Sequence, residues 1–154
     1  MIIFLDVDGV LNTVGSPIGI LEPQLLELSG AFSTIRESTD LGIVLTSSWR
    51  EARIDEFLNL TTRSDLGVSF RDYFIGTTPY LCTKAGLDPG KRSLEIQTWR
   101  KLTGYKTDKY VIIDDMPEWF SSFDGASPNF LQVNGFLGFD STCTLQLLQK
   151  VKSL

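Results

Sequence analysis

Three short segments are apolar at every position before they end in polar groups: "IIFLD" at 2–6, "GIVLT" at 42–46 and "YVIID" at 110–114. A strand with one wet face alternates apolar and polar residues. A run with no alternation is buried on both faces. Helix-like segments separate these runs, so the chain must build a parallel sheet with helices on both sides.

The rest of the order fits that constraint. "EPQLLELSGAFSTIRES" reads as a helix starting near Pro23, which suits a first helical turn. "SSWREARIDEFLNL" reads as a second helix with Ser at its start as a cap. "DYFIGTTP" is a short third strand, and "LCTKAGLDPG" is a loop. "KRSLEIQTWRKLTG" is a helix stopping at Gly104. "KYVIIDDMP" is the fourth strand, "MPEWFSSF" a short helix, "NFLQVNG" a fifth strand and "STCTLQLLQKVKSL" a final helix. The expected fold is α/β: a three-layer, doubly wound (Rossmann-like) parallel sheet of about five strands with right-handed crossovers. The length, 154 residues, and the absence of a linker or repeat lead us to expect one domain over 1–154.

Composition excludes several chemistries. The chain has no histidine, so Ser-His-Asp catalysis, Cys-His catalysis and a histidine zinc site are impossible within it. Two distant cysteines, Cys82 and Cys143, make neither a disulfide framework nor a four-cysteine metal site. No apolar run approaches the ~20 residues that span a bilayer. The apolar start carries no basic residue before Asp6, unlike a secretory leader, and a cytoplasmic location is expected.

The chemistry collects at strand ends. In an open parallel sheet, ligands bind at the C-terminal ends of the strands. The first strand ends at Asp6 with Asp8 beyond, the second at Thr46 and Ser47, and the fourth at Asp114 and Asp115. These tips converge only if the first strand lies between the second and fourth. Four carboxylates cannot share a crevice as bare charges. Oxygen-rich sites suit Mg²⁺, which takes one or two carboxylates, waters and substrate phosphate. One acid pair alone also suits a helix cap or a solvated turn; two such pairs on buried strands favour the metal. Setting those four acids aside leaves 14 basic against 15 acidic residues, and so no basic footprint for non-specific nucleic-acid binding.

"IIFLDVDGVLN", "GIVLTSSWR", a basic residue opening the helix before the fourth strand, and "YVIIDDM" together resemble the four motifs of the haloacid dehalogenase-like (HAD) superfamily, in that family's order. The resemblance implies Mg²⁺-dependent phosphoryl transfer through an aspartyl-phosphate. Asp6 would be the nucleophile. Asp8 would act as general acid and then base, with its backbone carbonyl on the metal. Gly9 permits the turn that holds Asp8 over the site. Thr46 would bind a phosphoryl oxygen, with Ser47 as the neighbouring choice. Asp114 and Asp115 would complete the metal site with Asp6 and Asp8. The basic partner falls on Arg92, because "KRSLEIQTWRK" resembles the "RG-EI--WL" helix of an uncapped subgroup; Lys91 is the second choice and Lys84 the third.

Arg50 sits near the same tip, placed either to touch substrate or to form a salt bridge. Asn12 either lines the pocket or holds its loop. Trp49, Trp99 and Trp119 read as core or rim. No interval is long enough for a substantial cap domain, so the site should be open. The subgroup resembles HAD domains linked with RNA repair. The expected substrate is therefore a small phosphomonoester or a phosphorylated nucleic-acid end. A non-catalytic phosphate-binding module is the alternative without chemistry. A phosphorelay receiver is disfavoured, because "FIGTT" ends the third strand without an Asp.

Overall fold

A computed structural model describes residues 1–16, 19–81, 91–105, 109–120 and 129–154. Its main sheet contains β1 (Ile2–Leu5), β2 (Gly42–Leu45), β5 (Phe74–Thr77), β6 (Tyr110–Asp114) and β7 (Phe130–Gln132). All pairings are parallel and the order is β5-β2-β1-β6-β7. The first strand thus lies between the second and the fourth core strand, as convergence of the acids requires. A two-stranded antiparallel ladder, β3 (Thr62–Arg63) with β4 (Val68–Ser69), stands apart from it. Four α-helices are present among the described residues: α1 (Glu22–Arg36), α2 (Ile54–Leu60), α3 (Lys91–Thr103) and α4 (Ser141–Ser153). No large cap is evident among those residues.

Strand alternation divides the core between two faces. Ile3, Leu5, Ile43, Leu45, Val111 and Ile113 meet α1 through Leu25, Leu28, Phe32 and Ile35, and α4 through Cys143 and Leu147. Ile2, Phe4, Val44, Tyr110 and Ile112 meet α3 through Ile96 and Trp99. Both faces are dry, which explains the unbroken apolar runs. Register then sets the site. Leu5 pairs with Leu45 and with Ile113, so Asp6, Thr46 and Asp114 follow at one level. Continued alternation carries these three toward the α3 face.

The structure departs from the sequence reading in the stretch after β2. "SSWREARIDEFLNL" was expected as one helix. It forms a 3₁₀ turn, Ser48–Arg50, and only then α2. Ser47 does cap the turn, accepting from the Trp49 backbone N–H at 3.4 Å. Arg53 breaks the continuity with non-helical φ −127° and ψ 20°. The physical reason is the side chains: Arg50 turns back onto the Thr46 and Ser47 carbonyls and pairs with Glu95 of α3, so the 3₁₀ turn that carries it is held by contacts that α2 does not share. "MPEWFSSF" is likewise a 3₁₀ turn, Pro117–Phe120; its last three residues fall outside the described residues. No described helix is long and apolar enough to cross a membrane.

Candidate active site

Asp6 follows β1 directly and is 2% exposed. Its backbone N–H donates to the Ile113 carbonyl at 3.0 Å, which fixes the residue against β6. Its Oδ2 accepts from Arg92 Nη1 at 2.7 Å. Among the described residues, its Oδ1 is buried without a hydrogen-bond partner. Asp114 is fully buried; its Oδ2 also accepts from Arg92 Nη1, and its Oδ1 accepts from the Met116 backbone N–H at 2.8 Å. One carboxylate oxygen from each of Asp6, Asp114 and Asp115 lies within 4.8 Å of the others. That donor set, with an orphaned oxygen among it, fits a hard divalent cation.

The electrostatics show how much this crowding costs. Burial first, and then the Asp6 charge, push Asp114 well above the usual carboxylate range, against the pull of Arg92. The same two causes raise Asp115 to about 6. Burial works against the Arg92 charge, yet Asp6 and Asp114 outweigh it and hold the guanidinium protonated. One cation therefore serves two buried carboxylates, and its pull on Asp115 is too weak to offset burial and the Asp6 charge. Arg92 is further seated over the Trp119 ring, 5.0 Å from its centroid.

Asp8 does not join that cluster among the described groupings. It is exposed and is held by other residues: Asn12 Nδ2 donates to its Oδ1 at 2.9 Å, and Trp49 Nε1 reaches Oδ1 at 3.1 Å and Oδ2 at 3.2 Å. Thr46 is fully buried, and its Oγ1 has no partner among the described residues. Ser47 is spent on the cap of the 3₁₀ turn. Asp6, Asp8, Gly9, Asn12, Arg53, Arg92 and Asp115 line one cleft of about 490 Å³, with Thr13, Val14, Ser16 and Met116 at its margin.

Gly9 is required by both space and conformation. Its φ is +78°, and a Cβ there would collide with Asp115 Oδ2. Gly135 closes on the same oxygen from the opposite loop, where a Cβ would stand at 2.5 Å. Gly9→Ala is expected to displace Asp115 and to destabilise the fold by about 1–2 kcal/mol, the usual cost of a left-handed L residue. Urea denaturation together with divalent-cation titration measures both effects.

Arg50 takes the ion-pair course. It is 8% exposed and meets Glu95 at 2.5 Å, both side chains buried. Glu95 also accepts from the Leu81 backbone N–H at 3.0 Å. Arg50 therefore binds β2's tip to α3 and does not line the cleft. Trp49 is buried and Trp99 lies in the α3 core, while Trp119 packs partly against it. Lys84, Cys82 and the Lys91 side chain lie outside the described residues. Cys143 is free and buried, and burial pushes its thiol up.

The sequence reading missed Glu95, Arg53 and the indole of Trp49. Glu95 left a usable signal. Arg92, Glu95, Ile96 and Trp99 share one helical face by their i, i+3, i+4, i+7 spacing, so a carboxylate stood in a core stripe. Arg53 and the Trp49 N–H left none.

A parallel sheet in this order, with a buried Asp just after β1, an acid pair at the end of β6 and an Arg from α3 bridging Asp6 and Asp114, defines a HAD-type hydrolase domain. The chain belongs to a specific family within that superfamily: the family model described as "HAD domain in Swiss Army Knife RNA repair proteins" matches residues 2–142. No curated protein and no solved structure matches the chain.

Proposed function

We propose that this protein is a Mg²⁺-dependent phosphomonoesterase that works through an aspartyl-phosphate on Asp6. The observation that carries the reading is the state of Asp6: a buried carboxylate with one oxygen tethered to Arg92 and the other unpartnered. A buried acceptor without a donor costs free energy unless it has a task. Asp6, Asp114 and Asp115 would hold the metal, with the Asp8 carbonyl. Mg²⁺ bound there supplies charge neutralisation for the carboxylates and the substrate phosphate.

Asp6 attacks phosphorus, forming a bond from its carboxylate oxygen as the bond to the leaving oxygen breaks. Asp8 gives that oxygen a proton, then removes one from the water that cleaves the aspartyl-phosphate. Arg92 orients Asp6 and offsets charge on the phosphoryl group. Thr46 donates its otherwise idle hydroxyl to a phosphoryl oxygen. Gly9 sets the turn. Ser47 and Arg50 hold the β2 tip in place, and Lys91 remains the second candidate for the cation. The sparse cysteines suit a cytoplasmic setting.

A phosphorylated nucleic-acid end is the substrate class the family description favours. A second groove shares Val14, Asp115 and Met116 with the catalytic cleft and continues to Phe136. Val14, Phe136 and Met116 are 56%, 76% and 37% exposed. These apolar groups beside the acids suit a base or sugar face better than a bare inorganic phosphate. A phosphate-release screen with Mg²⁺ tests the reading, using nucleotides, sugar phosphates, phosphopeptides and 3′- and 5′-phosphorylated oligonucleotides. Release that persists in excess chelator would overturn it.

The metal assignment also sets a pH dependence. Asp115 titrates near 6 in the folded protein against 3.8 when free. A raised acid binds its proton more tightly when folded, so stability is greatest below the unfolded value and falls as pH rises through the folded one. Without divalent cation, the urea midpoint is expected to fall between about pH 4 and pH 6. With millimolar Mg²⁺ that fall should shrink, because the cation binds only the folded carboxylates. A midpoint that rises across this window without cation would contradict the assignment.

A further inference from the structure

We propose that Trp49 and Asn12 are positioning residues for Asp8, and that together they assign the transferable proton to Asp8 Oδ2. The inference rests on the phosphatase reading and adds to it which groups aim the acid.

Asp8 is exposed, and an exposed aspartate is ordinarily free to rotate. Here it is held from two elements. Asn12 comes from its own loop, and the orientation of that amide is fixed: Asn12 Oδ1 accepts from the Gly9 backbone N–H at 2.7 Å, so Nδ2 must face Asp8. Trp49 comes from the 3₁₀ turn after β2. It is 2% exposed, and the Arg53 guanidinium covers its ring at 3.4 Å from the centroid. The indole therefore has little freedom. Its turn is anchored in turn by Arg50, through the Thr46 and Ser47 carbonyls and Glu95.

The chemistry of the donors decides the rest. An indole N–H and an amide N–H₂ only donate, so an oxygen facing them must keep a lone pair toward them. Asp8 Oδ1 receives both Asn12 Nδ2, at 2.9 Å, and Trp49 Nε1, at 3.1 Å. Oδ2 receives only the shared Trp49 contact at 3.2 Å. With Oδ1 taken twice, the proton sits on Oδ2. The Asn12 and Trp49 contacts together fix the rotation of this carboxylate at the cleft that Asp8 lines. In the first step the Oδ2–H bond breaks and the proton goes to the leaving oxygen, as the phosphorus bond passes to Asp6.

The test separates aiming of an acid from general support of the fold. Dinitrophenyl phosphate departs without protonation; glycerol phosphate does not. For Trp49→Phe, which keeps the ring and removes the N–H, kcat/KM for glycerol phosphate, which reports the phosphorylation step and not the later attack of water, should fall about tenfold to hundredfold, a part of what a general acid contributes. The kcat/KM for dinitrophenyl phosphate and the Mg²⁺ requirement should change little. Asn12→Ala provides the same comparison from the other donor, should Trp49→Phe fold poorly. An equal loss for both esters, or no loss for glycerol phosphate in either variant, would overturn the positioning role and leave the phosphatase intact. Wild-type protein that hydrolyses neither ester would instead overturn the phosphatase reading and this role with it.

Discussion

Asp6→Asn is expected to reduce phosphate release by at least about a thousandfold, the scale on which removal of a nucleophile acts. The substitution keeps size and shape and removes only the charged oxygen that attacks. Its effect on stability should run the other way. Asp6 is one of the causes that push Asp114 and Asp115 up. Losing its charge relieves that repulsion, and Arg92 still has Asp114. The variant should therefore match or exceed the wild type in a urea melt. Dead activity in a protein of undiminished stability separates a chemical role from a structural one. A variant with near-normal turnover would remove Asp6 from the mechanism.

The largest stability effect is expected at the ion pair beneath the site. Arg50 and Glu95 are 5% and 3% exposed by side chain, and burial works to lower the Arg50 pKa while Glu95 opposes it. Removing one member leaves a buried, uncompensated charge. Arg50→Met should thus cost about 3–5 kcal/mol in urea denaturation. Replacing both, as Arg50→Met with Glu95→Leu, should recover much of the loss, because no orphaned charge remains. The recovery should be incomplete: Arg50 also donates to the Thr46 and Ser47 carbonyls, and Glu95 accepts from Leu81. Surface pairs supply the contrast. Arg53–Glu56 and Arg63–Asp65 lie at the surface, and removing the acid of either pair should move the urea midpoint far less than Arg50→Met does. If Arg50→Met behaved like those, the pair would not be what ties β2 to α3.

The fold was legible because burial on both faces leaves a mark that few other arrangements leave. Ile2–Leu5 and Tyr110–Ile113 carry no polar residue to face water, so helices had to cover both sides. The strand order followed from the acids, since Asp6 and Asp114 are affordable only together with a cation. What the sequence left unmarked arises from tertiary contact. The 3₁₀ turn before α2 is held by Arg50, whose ion-pair partner Glu95 comes from α3, and nothing local in "SSWREAR" announces that partner. The β3–β4 ladder has two residues per strand, too few for any period. Glu95 stood in a helical core stripe, but its partner came from another element. Asp8 was placed by motif spacing beside the other acids and lines their cleft, but nothing in that spacing announced that the Trp49 indole and the Asn12 amide would hold its side chain.

The central claim is that phosphate passes through Asp6. Rapid mixing of enzyme, Mg²⁺ and substrate, followed by acid quench and borohydride, reduces an acyl phosphate to an alcohol and leaves homoserine in its place. Peptide mass analysis should find homoserine at position 6, only with Mg²⁺ and substrate present, at a level that rises before steady phosphate release. Phosphate release at full rate with Asp6 unmodified at every quench time would contradict the account.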